Sequence, residues 1–105
     1  MYVEVTGADS PTTAVSLRDE DDLTRFSVRA PKSSSAELIA SSLARAGAGR
    51  LEGDEAAVSI QWLRRCTASR PAQWHGEFER MLAYAAARGW MDPAGEAVTA
   101  HLEWV

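Results

Sequence analysis

Alternating apolar and polar positions in the first thirty residues predict three short strands. Residues 2–6 alternate and are rich in β-branched side chains, residues 13–17 alternate more weakly, and residues 24–29 place two apolar side chains on one face. A turn is expected over residues 7–11, where glycine and proline interrupt the pattern. Such one-sided alternation is typical of antiparallel strands with one face in water, so we expect a hairpin or a small meander.

The spacing changes to that of a helix after Pro31. Ser34 and Glu37 match a capping box, in which the serine hydroxyl accepts from the N3 amide and the carboxylate reaches back to the N-cap amide. Four apolar residues then share one helical stripe: Ala36, Ile39, Ala40 and Leu43. Gly47 follows and favours the left-handed conformation that ends helices. These features predict a helix from about Ser34 to Gly47.

Residues 54–68 fit two interpretations. Their apolar positions match both the alternation of a strand and the spacing of a helix, and periodicity alone does not decide between them. We expect a strand over residues 56–60 and then a short helix that ends at Cys66. A single helix through the whole segment is the alternative.

A long helix is the best-marked element of the chain. Pro71 stands where a helix can begin without an amide donor. The apolar residues that follow recur at helical spacing: Trp74, Phe78, Met81, Leu82 and Ala85. Gly89 and Trp90 then predict a Schellman ending, in which the residue after the glycine folds back on the last turn. We therefore expect a helix from about Pro71 to Arg88, with its apolar stripe buried against a sheet.

Renewed alternation predicts a final strand over residues 97–105. One face of this strand is apolar: Val98, Ala100, Leu102 and Trp104. The resulting order, β-β-β-α-β-α-α-β, predicts one α+β domain over residues 1–105. We expect about three helices on one face of a small, mostly antiparallel sheet, in which the first and last strands pair.

The final strand is also the basis for an expected dimer. It carries no proline or lysine that would block lateral pairing of an exposed edge. It ends in the apolar pair Trp104 and Val105, whereas chain termini are usually polar and frayed. Burial of Trp104 in a second copy would cover this surface. We therefore expect a homodimer, or another protein partner, at this strand.

Composition and charge narrow the functional classes. The 105 residues are 46% hydrophobic and 25% charged, as in an ordinary globular domain. A net charge of −4 argues against a general nucleic-acid-binding protein, which needs a basic face. One cluster of arginines, formed by Arg64, Arg65 and Arg70, is most simply explained as a solvated helix face.

The location expected from the sequence is the cytoplasm. No basic segment followed by an apolar run opens the chain, so a signal peptide is not expected. No apolar run approaches the length that spans a bilayer, and no membrane association is expected. Cys66 is the single cysteine and cannot form an intrachain disulfide, which fits a reducing compartment.

His101 and Glu103 are the first candidates for chemistry. They lie two residues apart on the predicted last strand and therefore share a face, where they could bind a metal or act as an acid–base pair. Cys66 is a third candidate, as a nucleophile whose pKa the arginines Arg64 and Arg65 would lower. The simpler interpretations are a polar sheet face and an inert cysteine.

Neither a cofactor nor a bound metal is expected. The acidic run 19–22 lacks the spacing of a calcium loop. His75 and Glu77 match the H-x-E of zinc deaminases, but the chain has no cysteine pair to complete that zinc site. The remaining metal ligands, one cysteine and two histidines, show no motif spacing.

The tryptophans give the strongest signal for binding. They are concentrated in the second half of the chain: Trp62, Trp74, Trp90 and Trp104. Large aromatic side chains anchor interfaces and ligand pockets, and they also fill cores. The sequence leaves open whether these four form one core or a partly exposed surface for a ligand or partner.

The C-terminal third of the chain carries a resemblance. Its residues 74–82, 84–85, 89–92 and 100–104 are similar to segments of short uncharacterised proteins from high-GC actinobacteria. The shared residues are mostly structural. The resemblance therefore implies a lineage and a compartment, and it implies no activity.

Three hypotheses about function follow. The preferred one is a non-enzymatic module that acts by self-association or as an accessory, partner-binding subunit, because no catalytic set is present. The alternative is a small enzyme or small-ligand binder that uses His101 and Glu103 near the tryptophans, and a pocket of several hundred Å³ around these groups would favour it. A winged-helix-like regulator is disfavoured by the acidic charge, which includes Glu77 and Glu79 on the would-be recognition helix.

Overall fold

The computed structural model describes residues 1–7 and 14–105, and within them the chain forms six strands and three helices. The strands are β1 (Tyr2–Thr6), β2 (Ala14–Arg18), β3 (Ser27–Ala30), β4 (Gly49–Glu52), β5 (Glu55–Ser59) and β6 (Ala97–Trp104). The helices are α1 (Ala36–Ala46), α2 (Ile60–Cys66) and α3 (Ala72–Ala87). The turn predicted over residues 7–11, apart from Gly7, and the predicted strand residue Thr13 lie outside the described residues.

The strands form one mixed sheet in the order β2-β1-β3-β6-β5-β4. β1 and β6 each run parallel to β3, and the other three neighbouring pairs are antiparallel. The α+β class is therefore confirmed. The strand β4 was not predicted, and it forms a hairpin with β5 through Gly53 and Asp54.

The expected position of the last strand is wrong. β6 lies inside the sheet, where it pairs with β3 on one side and with β5 on the other. It therefore offers no free edge for a second copy, and the first and last strands do not pair because β3 lies between them. The outermost strands of this sheet are β2 and β4. The sequence pattern missed this because strand order depends on contacts between distant segments.

One face of the sheet is apolar and packs against the helices. Its buried side chains come from five strands: Val3, Val5, Leu17, Val28, Val58, Val98, Ala100 and Leu102. The same buried cluster contains residues of all three helices, among them Ile39, Leu43, Leu63, Phe78, Leu82 and Ala85. Since side chains alternate along a strand, the residues between these positions point to the opposite, polar face.

The local sequence accounts for α1 and α2, with one shift. Ser35, rather than Ser34, caps α1, because its hydroxyl accepts a hydrogen bond from the Leu38 amide at 3.3 Å. The predicted pairing of Ser34 with Glu37 is therefore wrong by one residue. The segment 54–68 forms the expected strand and then a helix, which Ser59 caps by accepting from the third helical amide.

The end of α3 follows the prediction and fixes the position of Trp90. Gly89 has a φ of 76°, its amide donates to the Ala86 carbonyl at 3.1 Å, and the Trp90 amide donates to the Ala85 carbonyl at 2.8 Å. These are the two hydrogen bonds of a Schellman motif. On the apolar stripe of this helix all residues are buried except Met81, which is half-buried.

Candidate functional site

The polar face of the sheet carries side chains in two rows that cross several strands. In the first row each residue lies opposite the next: Tyr2 on β1, Ser27 on β3, His101 on β6 and Glu55 on β5. The second row runs parallel to it: Glu4 on β1, Arg29 on β3 and Glu103 on β6. Neighbouring strands are about 4.8 Å apart, so neighbours within a row can touch.

Glu103 belongs to an ion pair in the second row. The Nε atom of Arg29 lies 3.5 Å from its Oε2 atom, and the Arg29 guanidinium lies 4.0 Å from the ring centroid of Tyr2. Glu4 is likewise paired, with Arg18 at 3.3 Å. Glu103 therefore shares a face with His101 but is engaged by a cation on the neighbouring strand.

The carboxylate that the fold places directly beside His101 is that of Glu55, on β5. The sequence analysis missed Glu55 because it predicted no hairpin before β5. The dipeptide Gly53-Asp54, which is a recognised two-residue hairpin signal, could have revealed it. Within the described residues the His101 side chain makes no hydrogen bond to the side chain of Ser27 or Glu55. The contact that would activate a serine nucleophile is therefore missing.

A cavity of about 320 Å³ lies where β6 changes its neighbour. From His101 onward β6 pairs with β3. Its first part instead contacts the segment after α3, through a bridge between Met91 and Val98 and a hydrogen bond from the Thr99 amide to the Trp90 carbonyl. A gap in the sheet remains between Phe26, which precedes β3, and Trp90. We call this the gap cavity.

The wall of the gap cavity combines apolar and polar side chains. Its larger apolar side chains come from the loop before β3, from α3 and from the residue after Gly89: Leu23, Phe26, Met81, Tyr84 and Trp90. Its polar side chains come from that same loop, β5 and β6: Thr24, Arg25, Glu55, Thr99 and His101. An aromatic wall and a set of convergent polar groups thus face one space.

A second, more polar cavity of about 450 Å³ adjoins the first. The two cavities share Arg25, Phe26 and His101. Asp22 lines the second cavity, and hydrogen bonds from the Thr24 hydroxyl at 2.6 Å and the Thr24 amide at 3.2 Å lower the pKa of its carboxyl group. The second cavity therefore places a carboxyl group of lowered pKa near the shared arginine.

The charged residues of the gap cavity differ from those of the second row. Arg25, Glu55 and His101 take part in no salt bridge and no side-chain hydrogen bond within residues 1–7 and 14–105. All three are exposed to solvent. Their polar atoms are consequently available to a molecule that enters the cavity.

The four tryptophans divide into two buried and two exposed residues. Trp62 and Trp74 are 6% and 5% exposed, and the Trp74 indole donates to the Glu20 carbonyl at 2.8 Å. Trp90 and Trp104 are 45% and 38% exposed. Only Trp90 lines the gap cavity, where its ring lies 5.9 Å from that of Tyr84. A ligand surface can therefore include Trp90 but neither of the two core tryptophans.

Cys66 and His75 lie away from both cavities. Loss of hydration raises the pKa of the Cys66 thiol, and the smaller effect of Arg65 does not offset it. A higher thiol pKa leaves less thiolate, which is the nucleophilic form. His75 packs edge-on against Trp74 at 5.3 Å. The fold brings neither residue to His101.

The acidic run 19–22 has partners inside the protein. Asp21 forms an ion pair with Arg70, and Asp22 accepts from Thr24. Across the described part of the chain, no group of three or more histidine, cysteine, aspartate or glutamate side chains is arranged to hold a metal ion. Arg64 is paired as well, with Glu79 on α3.

Comparisons with protein families, curated proteins and solved structures give no significant match for this chain. Among the helices of the described residues, none combines the length and the apolar character needed to cross a bilayer. The functional argument therefore rests on the geometry of the two adjoining cavities.

Proposed function

We propose that this protein is a small-ligand-binding module and that the gap cavity is its binding site. One observation carries the proposal: the cavity combines an aromatic wall with three exposed charged or titratable side chains that form no salt bridge and no side-chain hydrogen bond in the described chain. Ligand sites are typically concave, mostly apolar, and fitted with a few polar groups that orient the ligand. A volume of about 320 Å³ suits a small organic molecule.

The proposed role is binding without a chemical step. Glu103 is engaged by Arg29, and the Cys66 thiol lies outside both cavities. His101 stands beside Glu55 without a nucleophile hydrogen-bonded to it. A bound molecule would be held by the apolar wall and oriented by Arg25, His101 and Glu55.

Indole is a suitable first probe because it is small, aromatic and uncharged. Titration of ¹⁵N-labelled protein should shift the amide resonances of Phe26, Trp90 and Thr99 together, with one dissociation constant. Trp90→Ala should weaken binding by about five-fold, since an aromatic contact of this kind contributes on the order of 1 kcal/mol beyond the buried area. The matched control is Trp104→Ala, which removes the other exposed tryptophan outside the cavity.

Two results would contradict the proposal. Shifts confined to residues outside the cavity would place the binding site elsewhere. Equal weakening in Trp90→Ala and Trp104→Ala would show that indole adheres to any exposed aromatic side chain.

We propose self-association as a second candidate function, on the basis of an exposed apolar patch. Trp104 is 38% exposed and Val105 is 64% exposed, and a second copy that covered them would bury apolar area. Because β6 is an interior strand, the contact would be made by side chains and not by strand pairing. Light scattering over a range of concentrations should give a mass above 11.4 kDa that falls in Trp104→Ala. A constant mass of 11.4 kDa would exclude this candidate.

A further inference from the structure

We infer that the ligand of the gap cavity is a free α-amino acid with an apolar side chain. This inference rests on the proposed ligand-binding function and adds the chemical class of the ligand. It is drawn from the opposite charges at the two sides of the cavity and from the apolar wall between them.

The cavity presents one cation and one anion from opposite sides of His101. Arg25 belongs to the loop before β3, and Glu55 begins β5 on the other side of β6. Two strand spacings, about 10 Å, separate the backbones of β3 and β5. Long side chains such as those of arginine and glutamate can reach inward across that distance. Both side chains line the cavity, so a ligand in it can contact the two charges together.

Asp22 interacts electrostatically with Arg25 but forms no salt bridge with it in the described chain, so both charges of the cavity can still engage a ligand. Neither Arg25 nor Glu55 has a salt-bridge partner in the part of the chain that the structure describes. A cavity with a free arginine alone would select anions, and one with a free glutamate alone would select cations. With both present, the best complement carries a carboxylate and an ammonium group close together. A free α-amino acid has these two groups on a single carbon, whereas a peptide has them at opposite ends.

The apolar wall of the cavity is the reason for assigning the ligand an apolar side chain. Phe26, Met81 and Trp90 line the same cavity as the two charges, and Trp90 is held by the Schellman ending of α3. Arginine forms bidentate, charge-assisted hydrogen bonds with carboxylates, so Arg25 is assigned the ligand carboxylate. Glu55 is assigned the ammonium group, and His101 lies between them as an additional hydrogen-bonding group.

The test compares three ligands that share a phenyl group. L-Phenylalanine has both charges, 3-phenylpropionate lacks the ammonium group, and 2-phenylethylamine lacks the carboxylate. L-Phenylalanine should bind about ten-fold more tightly than either, because each charged hydrogen bond contributes roughly that factor. Binding is followed by amide shifts in the gap cavity, as for indole.

Two variants test which protein side chain binds the carboxylate of the ligand and which binds its ammonium group. Arg25→Gln should abolish the advantage of L-phenylalanine over 2-phenylethylamine, and Glu55→Gln should abolish its advantage over 3-phenylpropionate. The matched controls are Arg65→Gln and Glu52→Gln, which remove exposed charges outside the cavity; Glu52 lies directly opposite Glu55 on β4. Both controls should retain the full ligand preference.

The outcomes separate this inference from the proposed function. Equal affinities for the three phenyl ligands, with indole still bound in the cavity, would overturn the amino-acid assignment and leave the binding function standing. Failure of all four molecules to shift the cavity resonances would overturn both. Tighter binding of L-phenylalanyl-glycine than of L-phenylalanine would overturn the assignment in favour of a peptide N-terminus.

Discussion

Successive residues of β6 occupy two different environments. Val98, Ala100 and Leu102 are at most 5% exposed and lie in the cluster that packs against the helices. Thr99 and His101 point to the other face and line the gap cavity. The first set is surrounded by neighbours, whereas His101 has no side-chain partner in the described chain. One strand thus contributes to stability and to the candidate site, and Val98 takes part in both, because it belongs to the buried cluster and also lines the gap cavity.

The polar face repeats this contrast on a smaller scale. The charged residues of its second row are all paired, Glu4 with Arg18 on β2 and Arg29 with Glu103 in the same row. Around the gap cavity, in contrast, Arg25 and Glu55 form no salt bridge within the described residues. Where a protein satisfies its polar groups internally it gains modest stability, and where it leaves them unsatisfied at a cavity they are available to a ligand.

The largest effect is expected for Phe78→Ala, which tests the packed face. The Phe78 ring is 1% exposed and stacks on Trp74 with centroids 5.2 Å apart. Its removal should lower the free energy of unfolding by about 3–5 kcal/mol, the usual loss for a buried aromatic residue. Tyr84→Ala, on the exposed side of the same helix, should cost less than about 1 kcal/mol. Urea denaturation measures both, and equal losses would refute the assignment of the two helix faces.

The second-largest loss of stability is expected for Gly49→Ala, which tests the hairpin that carries Glu55. Gly49 has a φ of 151°, and a Cβ atom there would lie 2.1 Å from the Ala57 carbonyl oxygen. β4 would have to move away from β5, at a cost of about 1–3 kcal/mol. Gly53→Asn is the matched control, because Gly53 has a φ of 65°, no described atom within 4 Å of the added carbon, and a conformation that asparagine tolerates.

Thermal unfolding distinguishes these two glycine variants. Gly49→Ala should unfold at a clearly lower temperature than Gly53→Asn, and the amide resonance of Val58, which lies opposite Gly49, should move further in Gly49→Ala than in Gly53→Asn. A larger loss in the control would show that the turn, and not the close approach of β4 to β5, determines the stability of the hairpin.

The elements that could be predicted from the sequence are those fixed by local contacts. Gly89 ends α3 as expected because its left-handed conformation and the two Schellman bonds involve only neighbouring residues. The strand and helix of residues 54–68 follow from a serine cap at their junction. The one-residue error at Ser35 arose because several adjacent serines can each act as a cap.

The sheet order and most of the site could not be predicted, because they depend on distant contacts. β1, β3 and β6 pair in parallel across long stretches of chain, and no period in the sequence encodes that arrangement. His101 was identified from its own strand. Glu55 and Arg25 join it only because β5 and the loop before β3 meet on either side of β6.

The loss of folding stability at low pH is expected to depend on Asp92, which stabilises the turn leading from Trp90 to β6. Its carboxylate accepts hydrogen bonds from the Ala97 amide at 3.1 Å and the Glu96 amide at 2.7 Å, and these bonds lower its pKa below the ordinary value of 3.8. A depressed pKa in the folded state means that the contribution of this group is complete above 3.8 and is lost as the pH falls through the folded value.

On acidification, Asp92→Asn should therefore lose less stability than the wild type. Urea midpoints measured between about pH 5 and pH 2 should fall less steeply in the variant than in the wild type. Indole binding at neutral pH should also weaken slightly, because the turn holds the cavity wall at Trp90. An identical acid dependence in the two proteins would show that the turn does not rely on the charged carboxylate.

The smallest effects are expected on the polar face, and they test its contrast between paired and unpaired residues. Arg29→Gln removes the ion pair with Glu103 and the cation–π contact with Tyr2, both partly exposed, and should cost about 0.5–1 kcal/mol of unfolding free energy. His101→Gln removes no internal partner and should change that free energy by less than about 0.5 kcal/mol. Ligand binding should respond in the opposite order: His101→Gln should weaken L-phenylalanine binding, while Arg29→Gln should leave it unchanged. Urea midpoints and ligand affinities measured on both variants test this difference. An equal loss of stability in His101→Gln and Arg29→Gln would contradict the distinction between paired residues of the second row and unpaired residues of the gap cavity.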